Sequence, residues 1–97
     1  MARFVLIHGA WHGGWCWSAV ANHLRDAGHD VACPDLPGHG ADTRPIWAAT
    51  LKGYAETASR AASRLSGPAI LVGHSLGGLV ITEAAARTPN LFAGLVY

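Results

Sequence analysis

Charge is scarce in this sequence and nowhere concentrated. Only 13% of its 97 residues are Asp, Glu, Lys or Arg, and seven basic residues nearly balance six acidic ones, for a formal charge of +1. Without a basic run the chain has no electrostatic footprint for a nucleic-acid backbone or an anionic membrane surface. No apolar run approaches the roughly 20 residues that span a bilayer. Neither nucleic acid nor membrane is therefore expected as a partner. The start of the chain, Met1-Ala2-Arg3 leading into Phe4-Val5-Leu6-Ile7, has too short an apolar stretch and no cleavage site for a signal peptide, which makes the cytoplasm the expected location. Cysteine is limited to Cys16 and Cys33. Their spacing is not that of metal ligands, so both read as small buried hydrophobes in a reducing compartment, and no metal site is expected.

What the chain does have is apolar residues, 51% of the total. Parallel strands covered on both faces give such a composition. At this length residues 1–97 form one unit at most. There is no internal repeat, linker or low-complexity tract.

Arg3 to Ile7 is a short, partly β-branched apolar run and reads as a first strand. It ends at His8-Gly9, and the glycine-rich stretch Gly9-Ala10-Trp11-His12-Gly13-Gly14-Trp15 follows. G-x-G-x-x-G and G-K-[ST] are both absent, so a loop of backbone donors fits better than a phosphate cradle. From Ser18, Val20, Leu24 and Ala27 recur at helical spacing, with Gly28 where a C′ glycine belongs. His29 to Cys33 is a second strand, ended by Pro34. A crossover this short predicts parallel pairing. Pro34 to Thr50 holds Pro34, Pro37, Pro45, Gly38 and Gly40 and reads as irregular surface chain. Leu51 to Leu65 is helical by spacing, with Thr50 as N-cap and Ser66-Gly67-Pro68 as a stop.

Next comes Ala69-Ile70-Leu71-Val72-Gly73-His74-Ser75-Leu76-Gly77-Gly78: an apolar run, a G-x-S-x-G pentapeptide, then an alanine-rich run to Arg87. Strand, sharp turn and helix put Ser75 in a nucleophile elbow. The turn is too tight for side chains beside the serine, so glycines stand there. The helix N-terminus, from about Leu76, lies where an oxyanion would form. Pro89 disfavours helix at Thr88, and Ala93 to Tyr97 begins a fourth strand. The alternation β-α-β-α-β-α-β argues for an α/β fold with a parallel sheet.

Four segments in register, Phe4 to Trp15, Gly28-His29, Pro34-Asp35-Leu36-Pro37-Gly38-His39-Gly40 and Leu71 to Gly78, resemble the α/β-hydrolase superfamily. The likeness is to its cofactor-free esterase branch, which includes plant methylesterases, hydroxynitrile lyases and bacterial esterase-like relatives. The resemblance implies a partial α/β-hydrolase fold, with four parallel strands alternating with three helices in three layers and without the lid and C-terminal half. It implies Ser75 as nucleophile, the Ala10 and Leu76 backbone N–H groups as oxyanion hole, Gly73 and Gly77 as elbow glycines, no cofactor, and a small-molecule ester as substrate. Hydroxynitrile lyases of this branch carry threonine at the position of Gly9, and the best-known ones an acid at that of His74. Dehalogenase relatives have aspartate at the elbow. Each departure favours ester hydrolysis.

In this fold the triad runs serine, acid, histidine along the chain, yet all six histidines precede Ser75. The one acid after it, Glu83, reads as a surface charge. The expectation is an N-terminal part whose acid, histidine and lid lie outside these residues. Two other readings stay open: a catalytically inert fragment, and lyase or C–C hydrolase chemistry on the same fold. His8 reads as a structural histidine beneath the loop, His12 as a loop brace, His74 as a packing residue, and Asp35 as structural. Trp11, Trp15 and Trp17 are expected to pack the loop against the first helix, with Trp11 also a candidate for the acyl pocket. The fourth strand is expected at a sheet edge.

Overall fold

The computed structural model describes residues 1–97. Its elements are β1 (Arg3–Ile7), α1 (Ser18–Asp26), β2 (Asp30–Ala32), α2 (Leu51–Ser63), β3 (Ala69–Gly73), α3 (Leu76–Arg87) and β4 (Phe92–Val96), with 3₁₀ turns at Gly14–Trp17, Ile46–Ala48 and Pro89–Leu91. The strands form one sheet in the order β2-β1-β3-β4. All pairings are parallel, and Phe4 stands level with both Val31 and Ile70. As the apolar pattern predicts, this is an α/β fold of four parallel strands and three helices, with β4 at an edge.

Alternation along the strands divides the apolar side chains between two faces. Val5, Ile7, Ala69 and Leu71 point to one face and join Ala55, Ala58, Ala61 and Ala62 of α2 and Val80, Ile81 and Ala84 of α3 in the main buried cluster. The small alanine side chains let α2 and α3 lie close together over the sheet. Leu6, between Val5 and Ile7, is fully buried but stands outside that cluster. So does Ala21 of α1, which marks α1 as the cover of the opposite face and gives the three layers.

Local signals explain the ends of the elements. Thr50 caps α2, its Oγ1 accepting from the Gly53 N–H at 3.0 Å, and Gly28 leaves α1 with φ 89°. Thr88, ahead of Pro89, has left helical geometry at φ −135°, as the ring of a following proline requires.

Several expectations need correction. Strand β2 is shorter than His29–Cys33, and α2 ends at Ser63 rather than Leu65. On α1 the buried position is Ala21, while Val20 and Ala27 are exposed and Leu24 half-buried. The spacing identifies a helix, but the face it presses on the sheet is rotated by one residue. Cys16 is exposed and Cys33 half-buried, because the 3₁₀ turn carrying Cys16 lies at the surface. Trp11 and Trp15 are exposed as well, so of the three tryptophans only Trp17 packs inward.

Candidate functional site

The site lies where β1 and β3 end side by side. The His74 N–H donates to the Ile7 carbonyl at 3.2 Å, extending the pairing one step past β3 before the chain turns. Ser75 then adopts φ 57°, ψ −118°, a conformation that costs an L-residue about 1–3 kcal/mol and persists only where its surroundings impose it. Here the imposing contacts are backbone. A Cβ on Gly73 would meet the Gly77 carbonyl oxygen at 2.5 Å, and one on Gly77 would meet the Ile7 carbonyl oxygen at 2.5 Å. Helix α3 thus sits directly on the strand ends, and only glycine fits at those two positions. The Gly77 N–H donates to the His74 carbonyl at 2.9 Å and the Gly78 N–H to the Ser75 carbonyl at 2.8 Å, closing the first turn. Ser75 is exposed, and its side chain does not cap α3.

Facing this turn is the loop after β1. The His12 N–H donates to the Gly9 carbonyl at 3.3 Å, and Trp11 has φ 67°, the pattern of a type II turn whose third residue is ordinarily glycine. Trp11 and Ser75 are the two non-glycine residues with positive φ. Trp11 borders a groove together with Ala10 and with Leu76, the residue after Ser75. The Ala10 N–H makes no backbone hydrogen bond, and the Leu76 N–H, in the first turn of α3, has no intrahelical acceptor. Gly9 lies against the serine: a Cβ there would approach the Ser75 Cβ to 3.2 Å and the His74 carbonyl oxygen to 3.1 Å.

Buried polar groups hold the loop from beneath. His8 is fully buried. Its Nε2 accepts from the Leu36 N–H at 3.0 Å, so the proton is on Nδ1, which donates to the Gly9 carbonyl at 2.8 Å. Desolvation pushes the imidazole below its usual pKa, the neighbouring His39 and His12 add to this, and the Gly9 carbonyl and Asp35 oppose it. His8 is therefore a neutral strut between two loops, as the sequence suggested. Asp35 works from the other side: Oδ1 accepts from the Gly14 N–H at 2.7 Å and Oδ2 from the Ala41 N–H at 3.2 Å. His29 and His39 also commit a ring nitrogen to backbone groups, at 2.9 Å and 3.1 Å. His12 stacks on His74, with centroids 6.2 Å apart, and stands edge-on to Trp15 at 5.8 Å. Its buried Nδ1 has no partner, nor has the Nε1 of Trp17. Glu83 is paired with Arg87 at 2.6 Å on the surface.

Sequence reasoning missed Arg44. Its guanidinium pairs with Asp42 and donates to Thr57 Oγ1 at 3.0 Å and to the Asp35 carbonyl at 3.0 Å, clamping the proline-rich segment onto α2. Asp42 feels desolvation that would raise its pKa, but the Gly38 and Arg44 N–H groups and the Arg44 guanidinium hold it below the ordinary value. An acid and an arginine two residues apart in a proline-rich stretch were the signal available. No group of three His, Cys, Asp or Glu side chains converges as a metal site would require, and no helix is long and apolar enough to cross a membrane.

Residues 4–97 match the model of the alpha/beta hydrolase family. The chain belongs to that family. It is 43% identical to Methylesterase 18 of Arabidopsis thaliana over 98% of its own length and 37% of that protein's. It is likewise 43% identical to the carbendazim hydrolyzing esterase of Nocardioides sp. (strain SG-4G), over all of this chain and 41% of the relative. Among solved structures, an Arabidopsis methylesterase superposes with a TM-score of 0.88 at 33% identity, over 100% of this chain and 42% of that one. The chain thus spans about two-fifths of the length of these relatives.

Proposed function

We propose that residues 1–97 are the N-terminal part of a single α/β-hydrolase domain, and that the complete protein hydrolyses a small-molecule carboxylic ester through an acyl-enzyme on Ser75. The observation that carries this reading is the strained, exposed Ser75 on the β3–α3 turn, opposite the unbonded Ala10 N–H. Strain of this kind is retained where function uses it. Gly73 and Gly77 permit the turn. The names of the relatives agree in chemistry, all three being esterases or methylesterases.

In this reading a histidine beyond Tyr97, oriented by an acid also beyond it, takes the Oγ proton as Oγ attacks the ester carbonyl carbon. The carbonyl π pair moves to oxygen, which the Ala10 and Leu76 N–H groups receive, aided by the positive end of α3. Collapse breaks the bond to the alkoxy oxygen, and the alcohol leaves with the proton from histidine. Water then adds to the acyl-enzyme by the same route, releasing the acid and restoring Ser75. No cofactor takes part, and neither nucleic acid nor membrane is a partner in this scheme. Gly9 and His74 weigh against the lyase alternative.

A fluorophosphonate probe on the complete protein tests the assignment. Labelling is expected on Ser75, and Ser75→Ala is expected to lose both labelling and ester turnover, the latter on the order of 10⁶-fold. Undiminished turnover in Ser75→Ala overturns it.

A further inference from the structure

Of the two non-glycine residues with positive φ, Ser75 is held by the backbone contacts at Gly73 and Gly77. Trp11, at φ 67°, has no such support from its own side chain, which is 95% exposed. A bulky residue is an outlier in that region and stays there only where its surroundings over-determine it.

The chain is pinned on both sides of Trp11. Before it, the Gly9 carbonyl accepts from His8 Nδ1 at 2.8 Å and from the His12 N–H at 3.3 Å. A trans peptide sets its N–H opposite its C=O, so these two donors aim the Ala10 N–H away from themselves. After it, the Gly14 N–H is fixed on Asp35 Oδ1 at 2.7 Å, and a Cβ on Gly13 would meet the Gly40 Cα at 2.9 Å. The Ala10–Trp11 peptide between them is unheld: neither its carbonyl nor its N–H makes a backbone hydrogen bond. Its orientation follows from φ at Trp11. With positive φ at the third residue the turn is type II; with negative φ it becomes type I, and the central peptide turns over by roughly 180°, so that its carbonyl and N–H exchange places.

We propose that Trp11 is a positioning residue of the proposed ester hydrolase and acts through its main chain: the positive φ that it holds fixes the direction of the Ala10–Trp11 peptide dipole beside the oxyanion donor. The inference rests on the serine-hydrolase reading, which makes the Ala10 N–H that donor. The two peptides share the Ala10 Cα, so turning the second one over reverses a dipole next to the first. Fixed dipoles matter most where charge develops in the transition state, and the loss therefore falls on kcat rather than on KM. The indole ring has no part in this. What the position needs is a residue that accepts the left-handed region, as glycine and asparagine do and a β-branched residue does not.

The test measures hydrolysis of methyl phenylacetate by the complete protein carrying Trp11→Gly, Trp11→Asn or Trp11→Val. Glycine and asparagine are expected to keep kcat within about threefold of wild type, since both adopt the turn without the ring. Valine is expected to lower kcat on the order of 10²-fold, the size of one lost oxyanion donor, with KM nearly unchanged. A valine variant that keeps the wild-type kcat overturns the proposal. So does a glycine variant whose kcat falls by about tenfold or more, because the ring would then carry the effect, and this arm stands even if the valine chain does not fold. A crystal structure of Trp11→Val reads the turn without turnover: a type I turn with the peptide turned over supports the role, and an unaltered type II turn refutes it. Full turnover in Ser75→Ala would overturn the hydrolase reading instead, and the crystal structure would still decide what φ at Trp11 does to the turn.

Discussion

The two faces of the sheet are closed to different extents. On one, α2 and α3 lie over Val5, Ile7, Ala69 and Leu71, all fully buried. On the other, α1 contributes Ala21 as its only buried residue, and of the alternate strand positions only Leu6 is fully buried while Phe4, Ile70 and Val72 are half-buried. A single strand records the difference: β3 runs buried, half-buried, buried, half-buried, buried from Ala69 to Gly73. Its apolar sequence is nearly uniform, so the contrast comes from what covers it. The turn at Ser75 is anchored from the closed face, because α3 rests on the Ile7 carbonyl through Gly77. The site's geometry is therefore carried by the better-packed half of the molecule.

The largest effect should come from opening that half. Ile81 is fully buried in the main cluster, and Ile81→Ala removes three carbon atoms from it. A loss of about 2–5 kcal/mol is expected, read as a lower midpoint in urea unfolding. A loss near zero would mean that the alanine-rich interface is loosely packed, and the contrast between the faces would disappear.

Acid should act next, through the strut that joins the two loops above the sheet. Burial keeps His8 neutral in the folded chain below its ordinary value, whereas the unfolded chain binds a proton there as pH falls through about 6.5. The unfolded state then holds more protons, so stability declines on acidification from that point downward and is flat with respect to His8 above it. Asp42, whose folded value is also lowered, loses its contribution in the separate, more acidic carboxylate range. Urea midpoints between pH 8 and pH 5 check this. The decline between about pH 7 and pH 5.5 should flatten in His8→Gln, and an unchanged slope would remove His8 from the account.

Backbone chemistry made much of this legible in the sequence. The strand at Arg3–Ile7, the glycine-flanked Ser75, the Thr50 cap and the break before Pro89 each follow from a local rule that tertiary packing did not override. The positions of Gly73 and Gly77 could be argued from tightness alone, and the close approaches to the Gly77 and Ile7 carbonyls give the reason. What remained hidden depended on partners distant in sequence. Nothing near Arg44 announces that it reaches Thr57 and the Asp35 carbonyl. Nothing in the clustering of Trp11, Trp15 and Trp17 reveals that two of the three face solvent. The groove beside Ala10 needed the proline-rich segment, which reads only as irregular chain, to be folded back against the first loop.

The smallest effect is expected on the thinly covered face. Val20 on α1 fits the helical apolar stripe in the sequence, yet it is 44% exposed and Ala21 next to it is the residue that packs. Truncating Val20 opens no cavity, because nothing encloses its methyl groups, and alanine is the better helix former. Val20→Ala should shift stability by no more than about 0.5 kcal/mol in either direction, the usual range for a surface change, against several times that for Ile81→Ala. Both variants would be measured in the same urea titrations. A cost for Val20→Ala approaching that of Ile81→Ala would show that α1 seals its side of the sheet as firmly as α2 and α3 seal theirs. The turn at Ser75 would then depend on both faces rather than on one.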